Sequence, residues 1–298
     1  MKLKPKMMMS IGLPLLVVFI VMGVIIYMMA SAGLKQATEV GMEQRANHYA
    51  EVIDGNIREQ AALVSALSVS WSAGMPTGAD LQAAVDELGR CNGVYGFLVG
   101  RPDGSYTTSQ EMPAGYDPRT RDWYKNAASS DGVVFSDVYK NAADGAIIVT
   151  LSKAIRGHGG ELVAVIGTDV SMESLTGMLK DVKVGEHGSI AVLGPRSEFI
   201  YHKKFQIDDE PLAEMDGGKY KELAAKFTSD KPQMLEEEFE GVQKFYQTVP
   251  IPSTGWHVVI EVPQSEAFAA ATKMLYAIVG ICLVALALLG GITYYFLT

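Results

Sequence analysis

The stretch best equipped for chemistry is Tyr116-Asp117-Pro118-Arg119-Thr120-Arg121-Asp122-Trp123-Tyr124. Guanidinium groups set among three large aromatics suit the capture of a small anion. Arg offers a planar fork of donors, and the rings wall out water. Asp117-Pro118 predicts a turn into a helix, since Pro fits a first helical turn. On that helix Arg121 and Tyr124, three residues apart, share a face while Trp123 points elsewhere. Spacing alone leaves an ordinary amphipathic helix with an exposed Arg equally open.

Other chemistries lack their residues. There is no H-E-x-x-H, Cys/His cluster, nucleophile elbow, P-loop or dinucleotide fingerprint, so no metal or cofactor is expected and an enzyme is disfavoured. A net charge of -9 argues against nucleic acid as a partner. Cys91 lies mid-chain and Cys282 in a terminal apolar run, different phases in which a shared disulfide is not expected. Asp208-Asp209-Glu210 and Glu236-Glu237-Glu238 read as solvated loop or strand-edge charges rather than a calcium site.

The elements that must position the motif follow from patterning. At 298 residues the chain can hold two modules, and its 48% hydrophobic content is concentrated at the ends. Lys2, Lys4 and Lys6 precede an uncharged run, Met7 to Leu34, whose Ile11–Ala30 portion would span about 30 Å as a helix. The lysines predict a cytoplasmic N-terminus. Ala30-Ser31-Ala32 fits a signal-peptidase site, but the run exceeds a usual signal core, which favours a retained anchor. Ala46, Tyr49, Ala50, Ile53, Ile57, Ala61, Val64 and Trp71 then form a helical stripe, broken by Gly74-Met75-Pro76-Thr77-Gly78. A short helix over Ala79–Leu88 follows. Strands are expected at Val94–Val99, Ser105–Thr108, Gly132–Tyr139, Ala146–Ile155 and Glu161–Asp169, forming an antiparallel sheet. Ser171 caps a helix carrying Leu175, Met178, Leu179 and Val182.

After Gly185 the pattern restarts. Gly188–Arg196 and Phe199–Tyr201 echo Gly93–Arg101 and Ser105-Tyr106, and Gln243–Val249 and Gly255–Val262 supply later strands. This is a degenerate repeat whose second copy lacks the R-x-W-Y motif, so one ligand site is expected, in the first copy. A second uncharged run, Met274 to Leu297, would be about 36 Å long as a helix.

The central motif, followed by Phe135-Ser136-Asp137-Val138-Tyr139 and Gly167-Thr168-Asp169-Val170-Ser171, resembles the double Cache sensor domain of bacterial receptors. It is especially similar to the amino-acid-binding subgroup of many chemoreceptors. The resemblance implies an α/β (α+β) fold: a long N-terminal helix plus two tandem PAS-like Cache modules with antiparallel sheets, flanked by two transmembrane helices. The implied division is a cytoplasmic N-terminus (1–10), a first transmembrane helix (11–32) and a long signalling and dimer helix (33–74). A membrane-distal ligand-binding module (75–175), a membrane-proximal module (176–272) and a second transmembrane helix (273–297) complete it. Function would be that of the sensor region of a methyl-accepting chemotaxis protein in the inner membrane, working as a homodimer and binding a small carboxylate such as an amino acid. A histidine kinase or diguanylate cyclase sensor and a structural ectodomain are the alternatives. Such receptors carry a cytoplasmic output domain beyond the point where this chain stops.

By the same resemblance Tyr116, Arg121 and Trp123 meet the ligand carboxylate, Tyr139 walls the pocket and Asp169 faces the ligand ammonium. From the residues alone, Asp169 could equally be a capping carboxylate ahead of Ser171, and Tyr139 a core strand aromatic. Where the subgroup commonly has a second Asp, two residues after the strand Tyr, this chain has Asn141. Its carbonyl still accepts a hydrogen bond but brings no charge, which leaves open whether the ligand is an α-amino acid or a less cationic carboxylate.

Overall fold

The computed structural model describes residues 3–297. One helix, α1 (Leu3–Ala73, 71 residues), runs from the first apolar segment through the amphipathic stripe without a break. Anchor and stripe are therefore one element, because no proline interrupts the chain between Pro14 and Pro76. The stripe is buried as its period requires: Ala46, Ala50, Ile53, Ile57, Val64 and Trp71 are all covered, with Tyr49 and Ala61 packed at their edge. Gly74 and Pro76 end the helix where expected.

The chain continues through α2 (Gly78–Leu88), β1 (Gly96–Gly100) and β2 (Tyr106–Thr108). A 3-10 turn (Pro118–Thr120) leads into α3 (Asp122–Ala128), then β3 (Val134–Phe135), β4 (Tyr139–Lys140), β5 (Ile147–Arg156) and β6 (Leu162–Ser171). These strands make an antiparallel sheet in the order β2-β1-β6-β5-β3, with β4 also on β5. Gly132–Tyr139, expected as one strand, is split into β3 and β4 by the segment around Ser136, whose backbone N–H donates to Thr150 O at 3.0 Å. Ser171 does cap α4 (Met172–Gly177), accepting from Ser174 N at 3.4 Å. That helix ends early, so Met178 is exposed rather than part of a buried stripe.

The second half contains β7 (Ser189–Leu193), β8 (Phe199–Tyr201), α5 (Met215–Gly218), α6 (Lys221–Phe227), β9 (Gln233–Phe239), β10 (Val242–Ile251) and β11 (Trp256–Pro263). Its sheet order is β8-β7-β11-β10-β9, the same circuit as the first. The weak internal echo of the sequence is thus a repeated topology, though the strands correspond two residues out of the register that the echo suggests, with Gly100 of β1 matching Leu193 of β7. The edge strand β9 is not among the strands expected by pattern, but it holds the Glu236-Glu237-Glu238 run, which is strand-edge rather than loop charge. Helix α7 (Gln264–Ala267) leads into α8 (Ala269–Leu297), which lies against α1, where a Cβ on Gly23 would come within 3.2 Å of Ile278. The apolar part of α1 and α8 are each long and apolar enough to cross a membrane. Cys91 and Cys282 are both free.

Strand alternation assigns the faces. In the first sheet Phe97, Val99, Val149, Leu151 and Ile166 join the core built around α1, whereas Leu98 and Val165 pack with Trp123 and Tyr124 of α3 on the other face. The first sheet is thereby held from behind by α1, with its opposite face free to carry a site.

Candidate functional site between Arg121 and Asp169

The two arginines of the motif have different fates. Asp117 caps the 3-10 turn, accepting from Arg119 N at 2.9 Å, and grips the Arg119 guanidinium at 2.8 and 3.0 Å. That pairing holds the Asp117 carboxyl below the usual carboxylate range and occupies Arg119. Arg121 is not a helical residue. It is the extended N-cap of α3 (φ -90°, ψ 143°), and its carbonyl accepts from Tyr124 N and Lys125 N. The expected sharing of a face by Arg121 and Tyr124 therefore fails, since the helix begins one residue later. Tyr124 instead packs on β1, where a Cβ on Gly100 would come within 3.0 Å of its ring.

Trp123 does not point away from Arg121: both line a cavity of about 190 Å³ together with Ser136, Asp137 and Tyr139. Trp123 is 2% exposed and lies over Gly167, whose missing side chain makes room; a Cβ there would sit 3.5 Å from the indole and 3.1 Å from Thr150 Cγ2. Ser152 Oγ donates to Trp123 O at 2.8 Å and Arg156 to Ala128 O at 3.0 Å, tying α3 to β5. Tyr116 is hydrogen-bonded by Trp123 and edge-packed on Tyr106 at 5.1 Å, and burial raises its phenol pKa.

Tyr139 connects this cavity to Asp169. The Arg121 guanidinium lies 5.6 Å from the Tyr139 ring centre. The Tyr139 hydroxyl is 2.6 Å from Thr150 Oγ1, which donates to Asp169 Oδ1 at 2.6 Å. With the Thr150 proton committed to an ionised Asp169, Tyr139 must donate to Thr150. Asp169 is 1% exposed, and its backbone belongs to β6 rather than to a helix cap. Burial pushes its carboxyl up to about 7, with Thr150 and Arg121 opposing the rise. No ion pair of Arg121 or Asp169 occurs among the described residues.

Asn141 stands at the same end as Asp169 but does not line the Arg121 cavity. Its Oδ1 accepts from Ala143 N at 3.0 Å, an Asx turn, and its Nδ2 donates to Gln110 Oε1 at 3.0 Å. Gln110 in turn donates to Tyr95 O at 3.2 Å, and the Tyr95 hydroxyl bonds to Asp144 of the same turn. Thr150, Gln110 and Gly96 were missed by the sequence reading. Thr150 and Gly96 are the cross-strand partners of Asp169, and only the strand register reveals them. A Cβ on Gly96 would meet Gln110 Oε1 at 2.6 Å and Asp169 Oδ2 at 3.1 Å.

A long helix backs two sheets of one repeated circuit, and on the free face of the first an Arg121-lined cavity is linked through Tyr139 and Thr150 to the buried Asp169. The chain belongs to the Cache domain family, whose model matches residues 29–271. It is 25% identical to a probable methyl-accepting chemotaxis protein of Bacillus thuringiensis subsp. konkukian, over 99% of this chain and 44% of that protein. It is 22% identical to the methyl-accepting chemotaxis protein McpA of Pseudomonas putida, over 80% of this chain and 39% of that one. The chain thus spans less than half the length of these relatives. Among solved structures, the ligand-binding domain of the Pseudomonas fluorescens chemoreceptor CtaA with L-isoleucine superposes with a TM-score of 0.65 at 21% identity, over 80% of this chain and 98% of that one. The ligand-binding domain of Mlp24 with asparagine gives a TM-score of 0.66 at 16% identity, over 81% and 98%.

Proposed function

We propose that the chain is the sensing region of a methyl-accepting chemotaxis receptor that binds an amino acid between Arg121 and Asp169 of the first sheet. One observation carries this reading: Arg121, without an ion-pair partner among the described residues, lines a cavity with Tyr139, and the Tyr139 hydroxyl leads through Thr150 to the buried carboxylate of Asp169. A ligand with both a carboxylate and an ammonium satisfies both. Arg121 takes the carboxylate by charge-assisted hydrogen bonds, Trp123 and Tyr116 flank it, Tyr139 walls the pocket and Asp169 receives the ammonium. Asn141 closes the amine end through Gln110 and contributes polarity without charge. The ligand is held and released unchanged, and the similar CtaA chemoreceptor domain crystallised with L-isoleucine and with L-serine supports this class.

The remaining organisation follows the same reading. Residues 75–175 and 176–272 are the distal and proximal modules, placed outside the inner membrane by the two apolar helices, with α1 and α8 carrying the signal. In the homodimer the helix pair would use the face of α1 turned away from the chain's own sheets, where Val40 and Val69 are exposed. The buried Ala46–Ile57 stripe is already covered. Cross-linking of Val40→Cys and Val69→Cys variants in membranes tests that pairing.

The decisive experiment for binding is isothermal titration of the full chain in detergent micelles with an amino-acid panel and matching deaminated carboxylates. Saturable binding of amino acids, lost in Arg121→Ala, is expected. Binding unaffected by Arg121→Ala, or no binding of any amino acid, refutes the assignment.

A further inference from the structure

The repeated circuit allows the second sheet to be read position by position against the first. In β1 the turn bond Arg101 N to Ser105 O corresponds to Gly194 N to Glu198 O after β7. Counting back from these, Gly96 matches Ser189. Gly96 pairs with Asp169 across β1 and β6, and Ser189 pairs with Glu261 across β7 and β11. Glu261 is therefore the counterpart of Asp169. Carrying the register one strand further, Thr150 pairs with Asp169 and Tyr246 with Glu261, so Tyr246 is the counterpart of Thr150.

The surroundings of the two carboxylates differ in one respect that matters. Asp169 accepts from the Thr150 hydroxyl and has no ion-pair partner among the described residues, whereas Glu261 receives Lys244 Nζ at 2.7 Å and the Ser189 hydroxyl at 2.6 Å. Lys244 and Glu261 are each only 15% exposed, so the pair is largely withdrawn from water. Lys244 lies two residues before Tyr246 on the same strand face, where the first sheet has the buried aliphatic Ile148. The anion-binding end is missing as well. Arg121 is the N-cap of α3, and the N-cap of α6 is Tyr220. Between these ends the second sheet keeps a small cavity of about 30 Å³, whose lining includes Glu261, Tyr246, Phe227 and Phe239. The Tyr246 hydroxyl is buried with no hydrogen-bond partner among the described residues.

We infer that Glu261 is a second ammonium-binding position, occupied in cis by the Lys244 side chain, so that the second sheet is permanently self-liganded and takes no amino acid. Unmasked by removal of Lys244, it accepts a small primary alkylammonium ion, whose N–H groups reach Glu261 and Ser189. This goes beyond the amino-acid reading of the first sheet and stands on its own contacts. It also explains how a duplicated fold signals from one site: the copy near the membrane already contains its cation.

The test uses the full chain in detergent micelles with ethylammonium chloride as probe and tetramethylammonium chloride, equal in charge but without N–H donors, as control. Lys244→Ala should lower Tm by about 5 °C, the loss expected when a shielded carboxylate is left unpaired. Ethylammonium should restore that loss while tetramethylammonium does not. The advantage of ethylammonium over tetramethylammonium should be larger in Lys244→Ala than in the wild type or the Lys244→Ala/Glu261→Gln double variant, both of which keep Asp169 and so subtract any binding at the first sheet. Should Lys244→Ala not fold, Lys244→Met keeps an unbranched side chain of similar length without the charge and must recover folding in ethylammonium. Absence of selective rescue in both variants, or equal rescue in the double variant, overturns the inference. Neither result bears on Arg121, so failure here is distinguishable from failure of the first site.

Discussion

Amino-acid affinity should depend steeply on pH if Asp169, the proposed ammonium acceptor, meets the ligand, because burial pushes its carboxyl up to about 7. Below that value Asp169 is neutral, and a bound ammonium requires it to ionise. Binding must then expel a proton, which costs about 1.4 kcal/mol for each pH unit below the free-state pKa. Between pH 8 and pH 5 an amino acid should weaken about 50–100-fold, provided that the bound carboxyl stays ionised. A deaminated analogue reverses the sign. It presents only a carboxylate, prefers neutral Asp169, and should bind no more weakly at pH 5 than at pH 8. Isothermal titration in two buffers of different ionisation enthalpy reads both the affinity and the protons released, with about one proton leaving per amino acid near pH 6. In Asp169→Asn the slope and the proton release should vanish together. A flat profile in the wild type, or an equal slope in Asp169→Asn, would show that Asp169 does not meet the ammonium.

Four further outcomes follow from the same contacts. Arg121→Ala should cost about 2–5 kcal/mol of binding for amino acids and deaminated analogues alike, measured by titration; a loss confined to amino acids would put Arg121 at the wrong end. Ionised Asp169 destabilises the empty fold, because its folded pKa lies above its unfolded value of 3.8. Its stabilising share is present at low pH and lost as pH rises towards 7, so Asp169→Asn should raise Tm at pH 8 and far less at pH 5. Gly96→Ala should push Gln110 aside and lower stability by about 1–3 kcal/mol in denaturant unfolding, as overpacking does. Asn141→Asp keeps the acceptor for Ala143 N but loses the donor to Gln110. It should strengthen amino acids relative to their deaminated analogues, and parallel changes in the two would place Asn141 outside the pocket.

Much of this protein is written locally. The long stripe of α1, its stop at Gly74-Met75-Pro76, the cap at Ser171 and the two apolar runs depend on period, backbone chemistry and length. All of these are visible along the chain. The repeat was visible too, as an echo around β1 and β7, because a duplicated fold retains its strand patterns. Its fifth strand was hidden, since the acidic β9 lies on an edge where burial does not dictate composition.

What the tertiary structure decided is which side chains meet. The motif contains two arginines, and no spacing tells which is free. The answer depends on Asp117 folding back to hold Arg119, and on α3 starting at Asp122, so that Arg121 projects from its N-cap beside Trp123. Asp169 acquires its displaced pKa from burial in the sheet, which outweighs the opposing hydrogen bond from Thr150, a partner 19 residues away in sequence and opposite it in register. Lys244 and Glu261 look like ordinary strand charges until the same register sets one on the other. Local order comes from neighbours in sequence, but electrostatic pairing comes from neighbours in space, and antiparallel strands bring together residues that the chain keeps apart.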